Sequence, residues 1–115
     1  MKARDFRRIA LGLQDAIESS HMAHPDFRVS GRIFATLSGD DRQGMVKLSP
    51  DQQAQFINAS PAVFTPASGA WGRQGCTMVQ LAAADADVVG EAMTLAWQLA
   101  AQHKPTKKRA PKKRR

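Results

Sequence analysis

Residues 27–37, FRVSGRIFATL, decide the fold class of this 115-residue chain. Apolar and polar side chains alternate in FRVS (27–30), and in RIFATL (32–37) Ile33, Ala35 and Leu37 alternate with Phe34 and Thr36. A period of two is typical of half-buried strands. Ser30 and Gly31 interrupt the alternation, which predicts a tight hairpin. After the loop SGDDRQG (38–44), MVKL (45–48) predicts a third strand. We therefore expect three antiparallel strands with local pairing.

Helical patterns precede and follow these strands. Apolar residues at spacings of three and four predict a first helix over residues 4–19, which SSHMAHPD (19–26) ends. Ser49-Pro50-Asp51-Gln52 combines a capping serine, a proline at the first helical position and a glutamine two positions later. This start predicts a second helix over about 50–58, with Phe56 buried.

The second half of the chain predicts one more strand and a long helix. AVFTPASGAWGRQG (62–75) has the composition of an extended loop, and CTMVQL (76–81) predicts a fourth main strand. Asp85 or Asp87 can cap a final helix with a wide apolar stripe, made of Val88, Val89, Ala92, Met93, Ala96, Leu99 and Ala100. The order of helix, three strands, short helix, strand and long helix indicates an α+β fold with an antiparallel sheet and helices packed on one face.

The positive charge of the chain is concentrated at its C-terminus. The formal net charge is +7, yet residues 1–103 hold nine Lys or Arg against ten Asp or Glu. Residues 104–115, KPTKKRAPKKRR, carry no acid and eight cations: Lys104, Lys107, Lys108, Arg109, Lys112, Lys113, Arg114 and Arg115. We expect one domain over 1–103 and a disordered basic tail over 104–115.

Composition also bounds the compartment. No apolar run approaches a membrane span, and the N-terminus has the pattern of a helix rather than a signal peptide. The single cysteine, Cys76, cannot form an internal disulfide. We expect a cytoplasmic, bacterial-type protein that does not contact membranes and is a monomer.

No catalytic motif is present in the sequence. It contains no Gly-rich phosphate loop, no HExxH and no paired CxxC. His21 and His24 are three residues apart with Asp26 nearby, but a predicted surface loop explains them more simply than a metal site. Cys76 begins a predicted strand and is expected to be a small half-buried residue. We expect no enzyme activity, no metal and no cofactor.

The segment GAWGRQGCT (69–77) is the most informative local feature. Gly72 and Gly75 permit backbone conformations closed to other residues and let another surface approach closely. Trp71 is suited to stacking on a base, and Arg73 to a forked contact with phosphate. The alternative is structural: Trp71 packs under the loop and Arg73 pairs with an acid.

Four segments in register resemble the MmcQ/YjbR family: HMAHPDFRVSGRIFATL, GMVKLSPDQQAQF, PAVFTPASGAWGRQGCTMVQL and EAMTLAWQLAA. The resemblance covers about residues 5–102 and implies a CyaY-like fold with a double-wing DNA-binding function. The family-type positions are Phe27, Arg28, Val29, Arg32, Phe34, Lys47, Leu48, Trp71, Gly72, Arg73 and Gly75. Arg32 replaces a lysine of many relatives. A CyaY-like fold also raises iron binding, but the first helix here mixes acids with Arg4, Arg7 and Arg8, which argues against it.

Two hypotheses follow for function. The first is a non-enzymatic protein that binds nucleic acid, with double-stranded DNA as the expected partner, mainly through phosphate contacts. Its expected contacts are the basic tail together with Arg28, Arg32, Lys47, Trp71 and Arg73. The second is a protein-interaction or small-ligand module with the Trp71 segment as one wall of a groove and the tail as an independent anchor. Convergence of the four core cations favours the first, and a pocket beside Trp71 favours the second.

Overall fold

A six-stranded antiparallel sheet and four α-helices make up the described part of the chain. The computed structural model describes residues 1–102. The helices are α1 (Ala3–Leu11), α2 (Pro50–Ala59), α3 (Gly69–Arg73) and α4 (Ala86–Gln102). The strands are β1 (Ile17–His21), β2 (His24–Val29), β3 (Arg32–Leu37), β4 (Gln43–Lys47), β5 (Phe64–Pro66) and β6 (Cys76–Gln80), in the sheet order β1-β2-β3-β4-β6-β5. This architecture confirms the predicted α+β fold.

The hairpin that the sequence predicts at Ser30-Gly31 is present. Both residues have positive φ angles, of 54° and 77°, as a two-residue turn between twisted strands requires. Val29 pairs with Arg32 across the turn. The pairing register shifts between Phe27 and Arg28, a bulge that no feature of the alternation predicted.

The predicted first helix is wrong beyond residue 11. Helix α1 ends at Leu11 with Gly12 as its C-cap, and Asp15 then takes a positive φ of 60° that a helix cannot contain. Residues 17–21 form β1, the edge strand, which reaches β2 through a turn at Met22 and Ala23. The apolar spacing extended to Ile17, yet Ile17 is exposed on an edge strand.

The predicted loop over 62–75 also needs correction. Phe64–Pro66 pairs with β6 as strand β5, and Gly69–Arg73 forms the short helix α3. Helix α2 begins as predicted, with Ser49 Oγ accepting from Gln52 N at 3.1 Å. Its Phe56 is half-buried rather than fully buried, with its ring edge-on to Phe64 at 5.2 Å between centroids.

The core lies between one face of the sheet and the helices α1 and α4. Phe27, Ala35 and Val46 follow one another across three strands and are fully buried. Phe6 of α1 packs on this face, with its ring centroid 6.2 Å from that of Phe27. Helix α4 contacts β2, β3 and β4. The predicted stripe of α4 is buried at Val89, Ala92, Met93, Ala96 and Ala100; Leu99 is exposed and Val88 half-buried.

Candidate functional site

The second face of the sheet points away from α1 and α4 and carries the candidate site. Residues opposite one another in antiparallel strands share a face. Asp26, Thr36, Met45 and Met78 form one such cross-strand row, and Lys47 pairs with Cys76 in the neighbouring row. We call this surface the open face. It is mixed in character, with a buried carboxylate, an ammonium group and two thioethers.

A buried carboxylate organises the β2 part of the open face. Asp26 is fully buried and accepts two hydrogen bonds from Arg28, from Nε at 2.7 Å and from Nη2 at 3.1 Å. His21 Nδ1 lies 2.7 Å from Oδ2 of the same carboxylate, the oxygen that also accepts from Arg28 Nη2. The Arg28 hydrogen bonds hold the pKa of Asp26 below its ordinary value, against the opposing effect of burial.

The ion pair changes how Arg28 can act. Asp26 compensates its charge and, by hydrogen bonding to the guanidinium, raises the pKa of Arg28 above its ordinary value. Arg28 is therefore a fixed, permanently protonated donor rather than a free cation. Sequence analysis did not assign Asp26 or His21 to the site; an acid two positions from an arginine on the same strand face was the available signal.

Trp71 lies over the open face, on a helical turn rather than on the predicted loop. The residue is 63% exposed, and the Lys47 Nζ atom is 5.9 Å from the centroid of its ring. That distance falls within the range of a cation–π contact. The structural alternative, in which Trp71 packs beneath a loop, does not describe this residue.

Glycine positions and one glutamine explain why Trp71 is held there. A Cβ at Gly72 would lie 1.9 Å from the carbonyl oxygen of Ala67, so only glycine lets α3 approach the preceding chain this closely. Gly75 has a φ of 111°, and a Cβ there would lie 1.9 Å from the Leu48 oxygen. From α2, Gln53 Nε2 donates to the carbonyl oxygens of Gly72 and Cys76, both at 3.0 Å.

Three of the four predicted core cations meet at one end of the sheet. Arg28, Arg32 and Lys47 line an open cavity of about 560 Å³, closed on another side by Leu99 and Ala100 of α4. Arg32 is exposed and Lys47 half-buried. Within residues 1–102, neither of them forms an ion pair. The fourth cation, Arg73, is exposed on α3 and lines neither this cavity nor the one beside Trp71.

A second, smaller cavity lies between Trp71 and the open face. Its volume is about 310 Å³, and its lining combines apolar and polar groups: His21, Ile33, Thr36, Met45, Lys47, Ala67, Ser68, Trp71 and Cys76. We call it the Trp71 cleft. Lys47 lines both cavities and so connects them. The eight cations of 104–115 and the predicted disorder of that tail lie outside the described residues.

The chemistry of the remaining candidates is limited. Cys76 is buried, and this burial raises the pKa of its thiol, so it has little thiolate character. His21 and His24 pair directly across the β1–β2 hairpin, with ring centroids 6.5 Å apart. In the part of the chain that the structure covers, no three His, Cys, Asp or Glu residues are grouped as metal ligands would be. None of the helices within 1–102 is long and apolar enough to cross a membrane.

Comparisons with known proteins agree with the fold. The model of the family described as YjbR matches residues 11–99. The crystal structure of the Deinococcus radiodurans protein DR2400, described as a DUF419 domain, superposes with a TM-score of 0.75 at 19% identity. That superposition covers 90% of this chain and 81% of the other. No curated protein matches the chain.

Proposed function

The chain belongs to the YjbR family, and from that premise we propose that it binds nucleic acid, double-stranded DNA in particular, mainly through phosphate contacts and without catalysing a reaction. The observation that carries the proposal is the meeting of Arg28, Arg32 and Lys47 at one cavity. Phosphate oxygens are the natural partners of such a group, because guanidinium and ammonium donors form charge-assisted hydrogen bonds with them.

The position of α4 adds to this argument. Ala100, near the end of α4, lines the same cavity, and Lys104 follows four positions later in the sequence. The chain therefore continues from the rim of the cationic cavity into a segment with eight positive charges. Phosphates attracted by that segment are brought close to Arg32 and Lys47.

The charge balance assigns different tasks to the two parts. Residues 1–103 hold one more acid than base, so their net charge does not attract a polyanion over distance. Eight cations without an acid attract it strongly and without sequence preference. In this proposal the tail supplies most of the affinity and the cavity fixes the orientation of the strand. We further propose that the protein is cytoplasmic, since bacterial DNA lies in the cytoplasm, and that it is a monomer.

The first experiment measures how much of the affinity the tail supplies. Full-length protein and a truncation ending at His103 are titrated into labelled random duplex DNA at several salt concentrations, with fluorescence anisotropy as the signal. If about eight phosphates are neutralised, the slope of log K against log salt approaches roughly −7. We expect truncation to flatten this slope and remove most binding. Full affinity and slope in the truncated protein would contradict the assignment to the tail.

The second experiment tests the cavity with a matched control. Lys47 ends β4, whereas Arg42 immediately precedes the strand and lies away from the cationic cavity. Lys47→Gln and Arg42→Gln each remove one positive charge. We expect Lys47→Gln to weaken duplex binding several-fold more than Arg42→Gln, because a positioned contact is lost beyond the change in net charge. Equal effects would show that the cavity does not contact DNA.

The Trp71 cleft favours a second candidate function. A concave site of about 310 Å³ beside an exposed aromatic residue suits a small ligand or a side chain of a partner protein. The basic tail would then be an independent nucleic-acid anchor. The variant Trp71→Ala distinguishes this candidate from the first. If the second function is correct, the variant should still fold and its nucleic-acid affinity should be unchanged.

A further inference from the structure

We propose that the Trp71 cleft is a subsite for one unpaired nucleotide, with the base stacked on Trp71 and its phosphate toward Lys47. This inference rests on the proposed function and specifies which part of a nucleic acid the domain would contact beyond its phosphates. The base would come from a single strand, from an unpaired position in a duplex, or from a free nucleotide.

The size and form of the cleft suit a nucleobase. An engineered cavity of about 150 Å³ is enough to bind benzene, so about 310 Å³ accommodates the ring system of a nucleobase. One wall is the exposed indole of Trp71 and the opposite wall is the sheet, with Ile33, Met45 and Cys76 among its lining residues. A flat aromatic ring can contact apolar groups on both of its faces in such a space.

The polar atoms at the cleft suit the edge of a base. Thr36 and Ser68 bring hydroxyl groups, and His21 brings an imidazole already oriented by its contact with Asp26. Hydroxyl groups donate and accept hydrogen bonds without fixing one base identity. Stacking on an aromatic side chain is also tolerant of sequence, because every base has a π-face. We therefore infer little base specificity.

Lys47 provides the charge complementarity. Its ammonium nitrogen lies 5.9 Å from the centroid of the Trp71 ring, and the residue lines both the cleft and the cavity that contains Arg32. A nucleotide whose base fills the cleft would place a phosphate near Lys47, and the adjoining strand would continue toward Arg32. A base that is paired within a duplex exposes only its edges, so it must leave the stack to enter the cleft.

The aromatic wall is already in position without a ligand. Gly72 and Gly75 allow the close approach of α3, and Gln53 donates to the carbonyl oxygens of Gly72 within α3 and of Cys76 just after it. A site that is ordered beforehand loses less conformational entropy on binding. This separates Trp71 from an exposed aromatic residue on a loose segment.

The experiment compares two single strands of equal charge. Full-length protein is titrated with a labelled single-stranded 12-mer and with a 12-mer of the same sugar-phosphate backbone that lacks bases. Both present the same phosphates to the tail, so a difference isolates the bases. We expect the intact strand to bind roughly tenfold more tightly, the scale of one stacked base. Trp71→Leu should remove the difference, and Trp71→Phe should keep most of it.

A fluorescence measurement reports the stacking directly. In a Trp97→Phe background, whose folding is first checked by a thermal melt, Trp71 is the one remaining tryptophan. We expect the intact strand to quench its emission and the strand without bases to leave it unchanged. Quenching by a free mononucleotide would support the subsite and identify free nucleotides as a further source.

The outcomes separate this inference from the function on which it rests. Duplex binding without a difference between the two single strands, and without quenching, would overturn the nucleotide subsite and leave the phosphate-binding function standing. Quenching by a mononucleotide in a protein that binds no strand would overturn the phosphate-binding function and support the subsite. Absence of all binding and quenching would overturn both.

Discussion

Replacing Gly72 by alanine should displace the helix α3 that carries Trp71 and lower the stability of the protein. The added Cβ would stand 1.9 Å from the Ala67 oxygen and 2.9 Å from its carbonyl carbon. Ordinary contact begins at 3.4 Å, so the two segments must separate by roughly 1.5 Å. Both partners are backbone, so no side-chain rotation relieves the contact.

The expected cost follows from this geometry. Overpacking of this kind destabilises by about 1–3 kcal/mol, and the separation also strains the Gln53 bond to the Gly72 oxygen. Alanine regains up to about 1 kcal/mol of helix propensity in α3. We expect a net loss of about 2 kcal/mol in the free energy of unfolding, measured by urea denaturation.

Gly90→Ala is the matched control. Gly90 lies inside α4, and a Cβ there meets no atom within 4 Å. The same substitution should stabilise by about 0.5–1 kcal/mol, because alanine has the higher helix propensity. A Gly72→Ala protein as stable as the wild type, or shifted in the same direction as Gly90→Ala, would refute the view that close packing holds the Trp71 helix.

Three further substitutions test the fold around the site. Asp26→Asn should destabilise by about 2 kcal/mol at pH 7, the scale of hydrogen bonds to a charged group, and by less at acid pH. Arg28 lowers the folded-state pKa of Asp26, so the contribution of Asp26 is present above the unfolded value of 3.8 and lost as pH falls through the folded pKa. Urea melts at pH 7 and pH 3 measure this, and equal losses would contradict it. Gly44→Ala should cost about 1–3 kcal/mol in thermal melts, because its Cβ would lie 2.5 Å from the buried Phe6 ring; an unchanged melting temperature would count against this packing. Ser49→Ala should cost about 1 kcal/mol in urea melts by removing the α2 cap, and no loss would mean that the cap contributes nothing.

Local chemistry made some elements predictable from the sequence. Ser30-Gly31 and Ser49-Pro50 each require a particular backbone conformation at a particular position, and the structure has both. Edge strand β1 was not predictable by alternation, because all five of its residues are exposed and no apolar face exists to reveal a period of two. Its position depends on the partner strand β2.

The segment before β6 escaped prediction for a related reason. Strand β5 has three residues and α3 has five, too few for either periodicity to emerge. The glycines at 72 and 75 indicated close approach and unusual backbone, and both features are present. What they approach, the backbone at Ala67 and Leu48, is set by tertiary packing.

The residue types of the candidate site were predictable, whereas their grouping was not. Arg28 and Lys47 are 19 positions apart, and they reach one cavity because β2, β3 and β4 are adjacent and a bulge adjusts the register. Alternation gives the face of a residue only where its strand is regular: at the bulge Phe34 and Ala35 are both buried, and Ile33 lines the Trp71 cleft on the open face. Alternation does not give the order of strands, which decides that Trp71 meets Lys47 rather than another cation.

The pairing of Arg28 with Asp26 bears on how any nucleic acid would be held. A cation already bonded to a buried carboxylate contributes little net field at a distance, but its remaining N–H groups stay fixed in direction. Arg32 and Lys47 have no such partner within the described residues, so they carry the uncompensated charge of the cavity. The salt dependence of nucleic-acid affinity should therefore arise from the tail and these two side chains, whereas its dependence on the presence of bases should arise from Trp71. Because the two dependences arise from different residues, removing one should leave the other measurable.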